Sequence, residues 1–284
     1  MSSLPITLAG LFVHPLKSCA RIEVDRARLI DTGLEWDREW MVVDADGTFV
    51  SQREEPHLAL VRPTLRAHDI ALRAPGMLTL HLSLDAVEGP LAVRVWNDRV
   101  QACDMGGLAA QWFSDFLGRR VRLARFDPDV RRSVDPSWAA PTDALTAFAD
   151  AFPLLVLSRA SLAELNRRLE RHGGQAVGSE RFRPNLLIDG VDAHGEDLLE
   201  RIEFDGAGGR VVLRLVKPCT RCSIPDVDPA RGERDAAVGA VLASYRANER
   251  MQGQVTFGMN AVIDSGIDAE LAVGASGSAT IRFD

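Results

Sequence analysis

Two cysteines three residues apart are the part of the sequence best suited to chemistry. Cys219 and Cys222 lie in VKPCTRCSIPDVDP, with Lys217 before them and Arg221 between them. A structural zinc site needs four ligands, whereas the histidines are scattered singly and no second C-x-x-C is present. Thiols beside cations favour the thiolate, a soft ligand for a soft or high-valent metal centre. The alternative is a pair of partly buried structural cysteines, and the motif alone leaves both interpretations open.

Three further segments carry polar groups that suit an anion. HPLKS places Lys17 and Ser18 after an apolar strand, where they either bind a phosphate or form a solvated turn. WDREW sets Arg38 between two tryptophans, either for surface cation–π packing or as an anion-binding fork. RFRPN puts Arg183 and Asn185 at the entry to an apolar strand, where the alternative is a surface ion pair of little energetic weight. Each segment leaves both interpretations open when it is taken alone.

Composition and missing motifs exclude several classes of protein. The 284 residues, 46% of them hydrophobic, can build the core of one large or two modest domains. A net charge of -7 without runs of like charge argues against a nucleic-acid or membrane partner. The first apolar run is too short and too interrupted for a signal peptide or a membrane span, which predicts a cytoplasmic protein. No G-x-S-x-G, Walker loop or G-x-G-x-x-G appears, so nothing indicates hydrolase or nucleotide chemistry.

The elements that must position these residues are mainly strands in the first part of the chain. Short alternating runs between Gly, Pro and Asp-Gly turns predict a small, mostly β unit over residues 6–100, with a hairpin turn at Asp46-Gly47. An apolar stripe predicts a helix over 107–117 with Gly118 as its C-cap, and a strand at 120–126 follows. The segment 127–145 lacks periodicity, so we predict a linker or active-site loop there.

The second part of the chain mixes strands with few helices. An apolar strand at 153–158 leads into a predicted helix over 161–173 with Ser158 as its N-cap, and another short helix is predicted over 236–247. Gly-rich turns separate the remaining strands and indicate a barrel-like β core. The predicted fold class is therefore mostly β with some α (α+β), divided into residues 1–126 and 127–284.

Taken together and in order, these segments resemble one family. HPLKSC, WDREWMVVDADGTFVSQRE, RFRPNLLI, KPCTRCSIPDVDPARG and FGMN match MOSC-domain molybdenum proteins that have an N-terminal β-barrel domain. The resemblance runs over about residues 6 to 280 and is nearest to the mitochondrial amidoxime reducing component and the bacterial hydroxylaminopurine-resistance proteins. It implies an N-terminal MOSC β-barrel domain over residues 1–126 and a barrel-like MOSC domain over residues 127–284.

The resemblance also implies a molybdenum cofactor, a pterin dithiolene with a terminal phosphate, held between the two domains. In the family the second cysteine of the C-x-R-C motif binds molybdenum, which makes Cys222 the implied metal ligand and catalytic residue and Cys219 its neighbour. Around Asp150, the residues Ala151 and Phe152 are less polar than in the mitochondrial relatives. The implied cofactor-binding residues are Lys17, Ser18, Arg38, Asp150, Arg183, Asn185, Thr220, Arg221 and Cys222.

The function implied by the resemblance is the reduction of N-hydroxylated compounds, such as hydroxylaminopurines, amidoximes and hydroxylamines. The mitochondrial relatives carry a membrane anchor and some bacterial relatives a C-terminal 2Fe-2S ferredoxin domain, and this sequence shows neither. We therefore expect electrons from a separate ferredoxin-, flavodoxin- or cytochrome-type protein and its reductase, with no nucleic-acid or membrane partner. The alternative is a carrier that holds molybdenum cofactor, or sulfur as a persulfide, without turnover of its own.

Overall fold

Strands dominate the described part of the chain. The computed structural model describes residues 3–282. Strands make up 42% of the structure and helices 19%, which confirms the predicted mostly β fold class with some α. Within residues 3–282, none of the helices has the length and apolar character that a membrane crossing requires.

The strands and helices of residues 3–282 are numbered in chain order. The first strands are β1 (Ser3–Val13), β2 (Ile22–Val24), β3 (Arg26–Ile30), β4 (Gly33–Leu34), β5 (Trp40–Val43), β6 (Arg62–Leu65), β7 (Asp69–Arg73), β8 (Leu80–Ser83), β9 (Gly89–Val95), β10 (Asp98–Asp104) and β11 (Arg122–Phe126). The later strands are β12 (Leu154–Ser158), β13 (Leu186–Asp189), β14 (Leu199–Gly206), β15 (Gly209–Thr220), β16 (Val227–Asp228), β17 (Glu233–Arg234), β18 (Ala247–Asn248), β19 (Gln254–Ser265), β20 (Glu270–Ala272) and β21 (Ser276–Ile281). The α-helices are α1 (Gly106–Leu117), α2 (Pro136–Ala139), α3 (Arg159–Arg171) and α4 (Ala237–Ala243).

Seven strands close a β-barrel that draws on both ends of the chain. Their order is β12-β13-β1-β21-β14-β15-β19, and β19 pairs back with β12. Buried side chains such as Leu8, Leu213 and Met259 belong to the large apolar core of this barrel. The predicted division of the chain after residue 126 stays a prediction. Since β1 pairs with β13 and β21, the barrel contains strands from both predicted segments.

Two smaller sheets beside α1 contain most of the remaining N-terminal strands, whereas β3 and β4 pair with β20 in a third sheet. Strands β5, β11, β10 and β9 form one sheet and β6, β7 and β8 the other. Trp40 and Phe113 are fully buried in the apolar core between these elements and α1. The sequence analysis did not identify β6, β7 or β10, because their apolar runs are short and charged residues stand at their ends.

Several local predictions are confirmed by backbone geometry. Helix α1 ends at Gly118, whose φ of 66° is the left-handed C-cap expected of a glycine. Ser158 caps α3, because its side chain accepts a hydrogen bond from the backbone N–H of Ser161. Gly47 adopts a φ of 75° in the predicted hairpin turn. The segment after the turn does not form a regular strand, and it pairs with β5 through a single bridge between Val43 and Phe49.

The segment 127–145 is irregular, as predicted, but it is not a free linker. It contains only the short helix α2 and an isolated bridge between Ser133 and Leu145. Val134 and Ala139 are buried against Val262 of β19. This packing holds the segment against the barrel and brings the chain to the loop that precedes β12.

Candidate functional site

One cleft gathers all the cofactor-binding residues predicted from the sequence. We call it the inner cleft, and its volume is about 820 Å³ including space open to solvent. Phe49, Ser51, Arg53, Phe152, Phe182 and Asn260 also line it. The predicted residues in its wall are Lys17, Ser18, Arg38, Asp150, Arg183, Asn185, Thr220, Arg221 and Cys222.

Strand register explains why segments so far apart in sequence meet here. Strand β13 pairs in parallel with β12 and antiparallel with β1, so that Leu186 lies opposite both Val156 and Leu11. The end of β1 and the starts of β12 and β13 therefore lie at the same edge of the barrel. The residues that follow β1, precede β12 and precede β13 are those of the HPLKS, FADAF and FRPN segments.

Lys17 is fixed at the base of the inner cleft. Its side chain is 8% exposed, and the ammonium donates to the Phe148 carbonyl at 2.8 Å and to the Asp150 carboxylate. Burial lowers the pKa of Lys17, although the charge of Asp150 opposes this. Burial raises the pKa of Asp150, but the Lys17 ammonium outweighs this effect and leaves the pKa of the carboxyl below its usual range. Asp150 is therefore an ionised hydrogen-bond acceptor at neutral pH.

Arg38 lies at the junction of the two halves of the chain. Its guanidinium donates to the Asp37 carboxylate, to Asn185 Oδ1 at 2.9 Å and to the Arg183 carbonyl at 3.0 Å. Asp37 in turn accepts from the backbone N–H of His14 at 2.7 Å. Burial raises the pKa of Asp37, but the Arg38 guanidinium and contacts with His14 lower it to about 2. This ion pair keeps the Arg38 guanidinium oriented towards the FRPN segment.

Arg183 is half-buried, and the protein satisfies only part of its guanidinium. Its Nη1 donates to the Cys19 carbonyl at 2.6 Å, whereas Nη2 is buried without a partner among the described residues. Burial and the neighbouring Arg38 charge lower the pKa of Arg183 to about 10, which leaves the group cationic at neutral pH. A buried N–H group of a cation is costly unless an anion or another acceptor pairs with it. Arg183 therefore points to a ligand.

Three residues of the inner cleft have left-handed backbone conformations. The φ angles are 70° at Ser18, 53° at Arg38 and 58° at Arg183. Such angles are uncommon for residues other than glycine and cost roughly 1–3 kcal/mol each, and they concentrate at functional sites. The surrounding hydrogen bonds hold this strained wall in one geometry.

Asn185 contacts the protein more than the open cleft. Its Oδ1 accepts from Arg38 and from the backbone N–H of Leu155 at 3.1 Å, and its Nδ2 donates to the Phe12 carbonyl at 3.2 Å. The residue is only 1% exposed. The side chain therefore ties β1, β12 and Arg38 together, so its contribution to the site is positional.

The cysteine loop leaves one thiol open to the cleft. Cys222 is exposed, whereas Cys219 is half-buried. Arg221 donates from Nη1 to Cys219 Sγ at 3.0 Å and from Nη2 to the Phe182 carbonyl at 3.0 Å. Thr220 ends β15 immediately before this loop. In the described range 3–282, no group of three or more His, Cys, Asp and Glu side chains is arranged to hold a metal ion.

A second cavity opens directly outside the inner cleft. We call it the outer chamber; it shares the cysteine loop and Asp150 with the inner cleft, and its volume is about 1180 Å³ including open solvent. Several residues that line the outer chamber were not assigned to a site from the sequence. They are Arg53, Trp96, Phe152, Lys217, Gln254 and Asn260. Trp96 has a φ of 56° in the turn between β9 and β10, where glycine or asparagine is usual. Of these six residues, Trp96 alone has an unusual backbone conformation.

The charge and donor set of the inner cleft suit an anionic, thiol-ligated group. Five cationic side chains line it, against the single carboxylate of Asp150, in a chain whose net charge is -7. Arg183 Nη2 and Arg221 Nε are buried N–H groups that lack partners within residues 3–282. The exposed Cys222 thiol supplies a soft ligand beside these donors. The fold and the site thus define a β-barrel protein built around a cation-rich cleft with one exposed thiol.

Comparison with known proteins identifies the family. Residues 6–120 match the MOSC N-terminal beta barrel domain and residues 143–276 match the MOSC domain. The chain is 37% identical over 250 residues to mitochondrial amidoxime-reducing component 1 of Mus musculus, covering 84% of this chain and 71% of that protein. The chain therefore belongs to the MOSC family, in the arrangement that has an N-terminal MOSC barrel domain, and the predicted resemblance is confirmed.

Two further relatives differ in how much of their length is matched. Mitochondrial amidoxime-reducing component 1 of Homo sapiens is 34% identical over 236 residues, covering 80% of this chain and 67% of that protein. Molybdenum cofactor sulfurase of Bos taurus is 29% identical over 287 residues, covering 94% of this chain but 32% of the sulfurase. The chain thus matches most of the amidoxime-reducing component and about a third of the sulfurase.

Proposed function

We propose that this protein is a molybdenum cofactor-dependent oxidoreductase that reduces N-hydroxylated compounds such as hydroxylaminopurines, amidoximes and hydroxylamines. The observation that carries the proposal is the inner cleft, which combines a surplus of buried and half-buried cations with the exposed Cys222 thiol. Similarity to amidoxime-reducing components over 84% of the chain supports the choice of reaction.

Each side of the inner cleft has its own part in holding the cofactor. Cys222 is the residue that would bind molybdenum through its thiolate. Lys17, Ser18, Arg38 and Arg183 supply an ammonium, a hydroxyl and two guanidinium groups, the donors that a phosphate and a polar pterin require. Asn185 positions Arg38, and Asp150 positions Lys17. Thr220 and Arg221 complete the wall on the side of the cysteine loop.

The reaction replaces N–OH by N–H and releases one water, consuming two electrons and two protons. A bound molybdenum cofactor supplies the two-electron chemistry at the N–O bond. Cys222 lies in the wall shared by the inner cleft and the outer chamber, so a substrate entering from outside meets the thiol loop directly. Asp150 stays ionised at neutral pH, so it accepts hydrogen bonds and does not supply a proton to the reaction. In this proposal the two protons that the reaction consumes come from solvent, which reaches the site through the open outer chamber.

The electron donor is, in this proposal, a separate ferredoxin-, flavodoxin- or cytochrome-type protein with its reductase, and the protein acts in the cytoplasm. A second function is favoured by one observation, the similarity to molybdenum cofactor sulfurase over 94% of the chain. In that alternative the protein carries molybdenum cofactor, or sulfur as a persulfide on a cysteine, and has no turnover of its own.

Elemental analysis of molybdenum and zinc per chain tests the proposal, in protein made by a host that synthesises the cofactor. We expect about one molybdenum per chain in the wild type and less than about a tenth of that in Cys222→Ser. Cys103→Ser is the matched control, because Cys103 lies on β10 and lines neither the inner cleft nor the outer chamber.

Turnover then separates the two functions. A chemical reductant and an amidoxime should give product in the wild type. Molybdenum without turnover of any N-hydroxylated compound would favour the carrier. Absence of molybdenum from the wild type would exclude the reductase and leave the sulfur carrier or a structural role for the two cysteines.

A further inference from the structure

Cations of the outer chamber lack acidic partners. Within residues 3–282, no carboxylate lies within ion-pair distance, 4.0 Å, of Arg53, Lys217 or Arg221. Lys217 instead lies over the rings of Trp138 and Phe152, at 4.9 and 5.9 Å from their centroids. The guanidinium of Arg53 lies 4.2 Å from the centroid of Trp96 and donates only to the Ser51 hydroxyl. Asp135 and Asp150 are near enough to be affected by these charges but do not pair with them.

The wall that carries these cations is held in a defined geometry. Trp96 keeps a left-handed backbone conformation, donates from its indole N–H to Asp150 Oδ1 at 3.1 Å and packs edge-on against Phe49 at 4.9 Å. Strained backbone at a non-glycine residue persists where the surroundings over-determine it, which occurs most often at functional sites. Arg53 stacks on this fixed ring, which keeps its guanidinium beside the chamber and leaves most of its N–H groups available to a ligand.

The two lysines of the chain have separate places in this arrangement. Lys17 and Lys217 are the only lysines in the sequence, against 31 arginines. Lys17 lines the inner cleft and pairs with Asp150. Lys217 lines the outer chamber but not the inner cleft, and it has no ion partner within residues 3–282. A compact ammonium is a point charge suited to a phosphate or carboxylate that arrives and leaves.

We propose that the outer chamber is a subsite for an anionic group of the substrate, a phosphate or a carboxylate, held by Lys217 and Arg53. This inference rests on the proposed function and narrows its substrates to N-hydroxylated compounds that carry such a group at a distance from the N–OH. The phosphate of an N-hydroxylated purine nucleotide has this chemistry. The chamber, at about 1180 Å³ with its open mouth, has room for a ligand of that size.

A small anion fits these cations better than the acidic surface of a protein does. Arg53, Lys217 and Arg221 are each only partly exposed, and they line a recess rather than a convex surface. Docking charges of electron-transfer partners act mainly from exposed rims, where long-range attraction raises the association rate. Recessed, partly desolvated cations instead strengthen short-range contacts with a group that enters the recess.

A substrate pair that differs only in the anion tests the inference on the molybdenum-loaded protein. We would measure kcat/KM for an N-hydroxylated adenosine and for its 5'-monophosphate, with a small chemical reductant in place of a protein donor. We expect the monophosphate to be preferred by about 10-fold or more, the effect of a charge-assisted hydrogen bond. In Lys217→Gln this ratio should fall towards one. In Arg73→Gln, which removes an exposed charge on β7 that lines neither cavity, it should stay at the wild-type value.

A binding measurement makes the inference independent of turnover. Reductive ¹³C-methylation labels amines, and comparison with Lys217→Gln identifies the Lys217 signal. On the molybdenum-loaded protein, adenosine 5'-monophosphate should shift that signal, whereas adenosine should leave it in place. The anion subsite is wrong if the wild type shows a kcat/KM ratio near one and adenosine 5'-monophosphate does not shift the Lys217 signal. Turnover of the N-hydroxylated nucleoside would still uphold the proposed function in that case. A shift of the Lys217 signal without turnover of any substrate would uphold the anion-binding site and contradict the proposed function.

One further result would assign these cations to the electron donor. If Lys217→Gln lowers turnover of neutral and anionic substrates alike with a protein donor, and lowers neither with the chemical reductant, the chamber serves docking and the anion subsite is wrong.

Discussion

The inner cleft and the outer chamber share the cysteine loop, but they hold their cations in different ways. In the inner cleft, Arg38 and Arg183 donate to buried carbonyls and to the Asn185 amide, on backbone with left-handed φ angles. In the outer chamber, Arg53 and Lys217 lie over aromatic rings and make few hydrogen bonds. The first arrangement fixes each donor in one position, whereas the second leaves the donors able to adjust.

This difference suits two ligands with different residence times. A cofactor that stays bound gains from donors whose orientation is already fixed, because little conformational entropy is then lost on binding. A substrate that exchanges in every turnover is better served by donors that adjust and release. Removing a fixed donor should therefore affect cofactor content, and removing an adaptable one should affect substrate preference alone.

Among the cationic donors, the loss of Arg183 has the largest expected effect on cofactor content. Arg183→Met keeps much of the side-chain volume and removes the charge and the unpaired Nη2 donor. We expect molybdenum content to fall roughly 10- to 100-fold, since a hydrogen bond to a charged group is worth about 1.5–3 kcal/mol. Lys217→Met is the matched variant from the outer chamber and should retain its molybdenum. Equal losses in the two variants would contradict the distinction between the two regions.

Substitution of Asn185 tests whether its side-chain hydrogen bonds stabilise the wall of the inner cleft. Asn185→Leu leaves the backbone N–H of Leu155 buried without an acceptor and removes one acceptor from Arg38. The free energy of unfolding should fall by roughly 2–4 kcal/mol, measured by urea denaturation. Asn260→Leu is the control, because Asn260 lines the same cleft without a side-chain hydrogen bond in the described structure. A loss of similar size there would show that the Asn185 bonds are not the cause.

Much of the inner cleft was predictable because its residues lie in segments with strong local character. Lys17, Arg183 and Cys222 stand in short motifs whose polar types suit an anion and a metal, and the structure brings them to one cleft. Trp96 and Arg53 carry no such local signal, since their meeting depends on a β9–β10 turn and on a loop after β5. Their place in a site was therefore not visible in the sequence.

The fold shows the same limit. Helices α1 and α3 were predicted nearly to their ends, because capping residues and apolar periodicity are local properties. Residues of β1 read as a strand in the sequence, but its pairing with β13 and β21 depends on residues more than 170 positions away. Strand pairing at that distance is set by packing of the whole barrel, which no short window of sequence records.

Buried His14 makes stability depend on pH. Burial and the charges of Arg38 and Arg183 hold the pKa of His14 well below its usual range, so it stays neutral in the folded protein. The unfolded chain protonates this residue below about pH 6.5, binds more protons than the native state, and is favoured as pH falls. From pH 8 to pH 5.5 this should cost about 1.4 kcal/mol of stability.

His14→Gln should remove that part of the pH dependence, measured as the slope of the unfolding free energy against pH. His194 leaves a remaining slope of the same sign, because burial and Arg246 lower its pKa to about 4. If the stability difference between wild type and His14→Gln stays constant from pH 8 to pH 5.5, the neutral state of His14 does not contribute.

The smallest effect concerns the strained backbone of the outer chamber. Trp96→Ala and Trp96→Gly both remove the ring, its contact with Arg53 and its hydrogen bond to Asp150. They differ only in backbone preference, and at a φ of 56° glycine should be more stable than alanine by about 1 kcal/mol in thermal or urea unfolding. At Arg94, on strand β9 beside this turn, the order should reverse, because glycine weakens a strand interior. If alanine is the more stable residue at both positions, Trp96 is not held in a strained conformation, and the outer chamber has no fixed wall against which Arg53 is set.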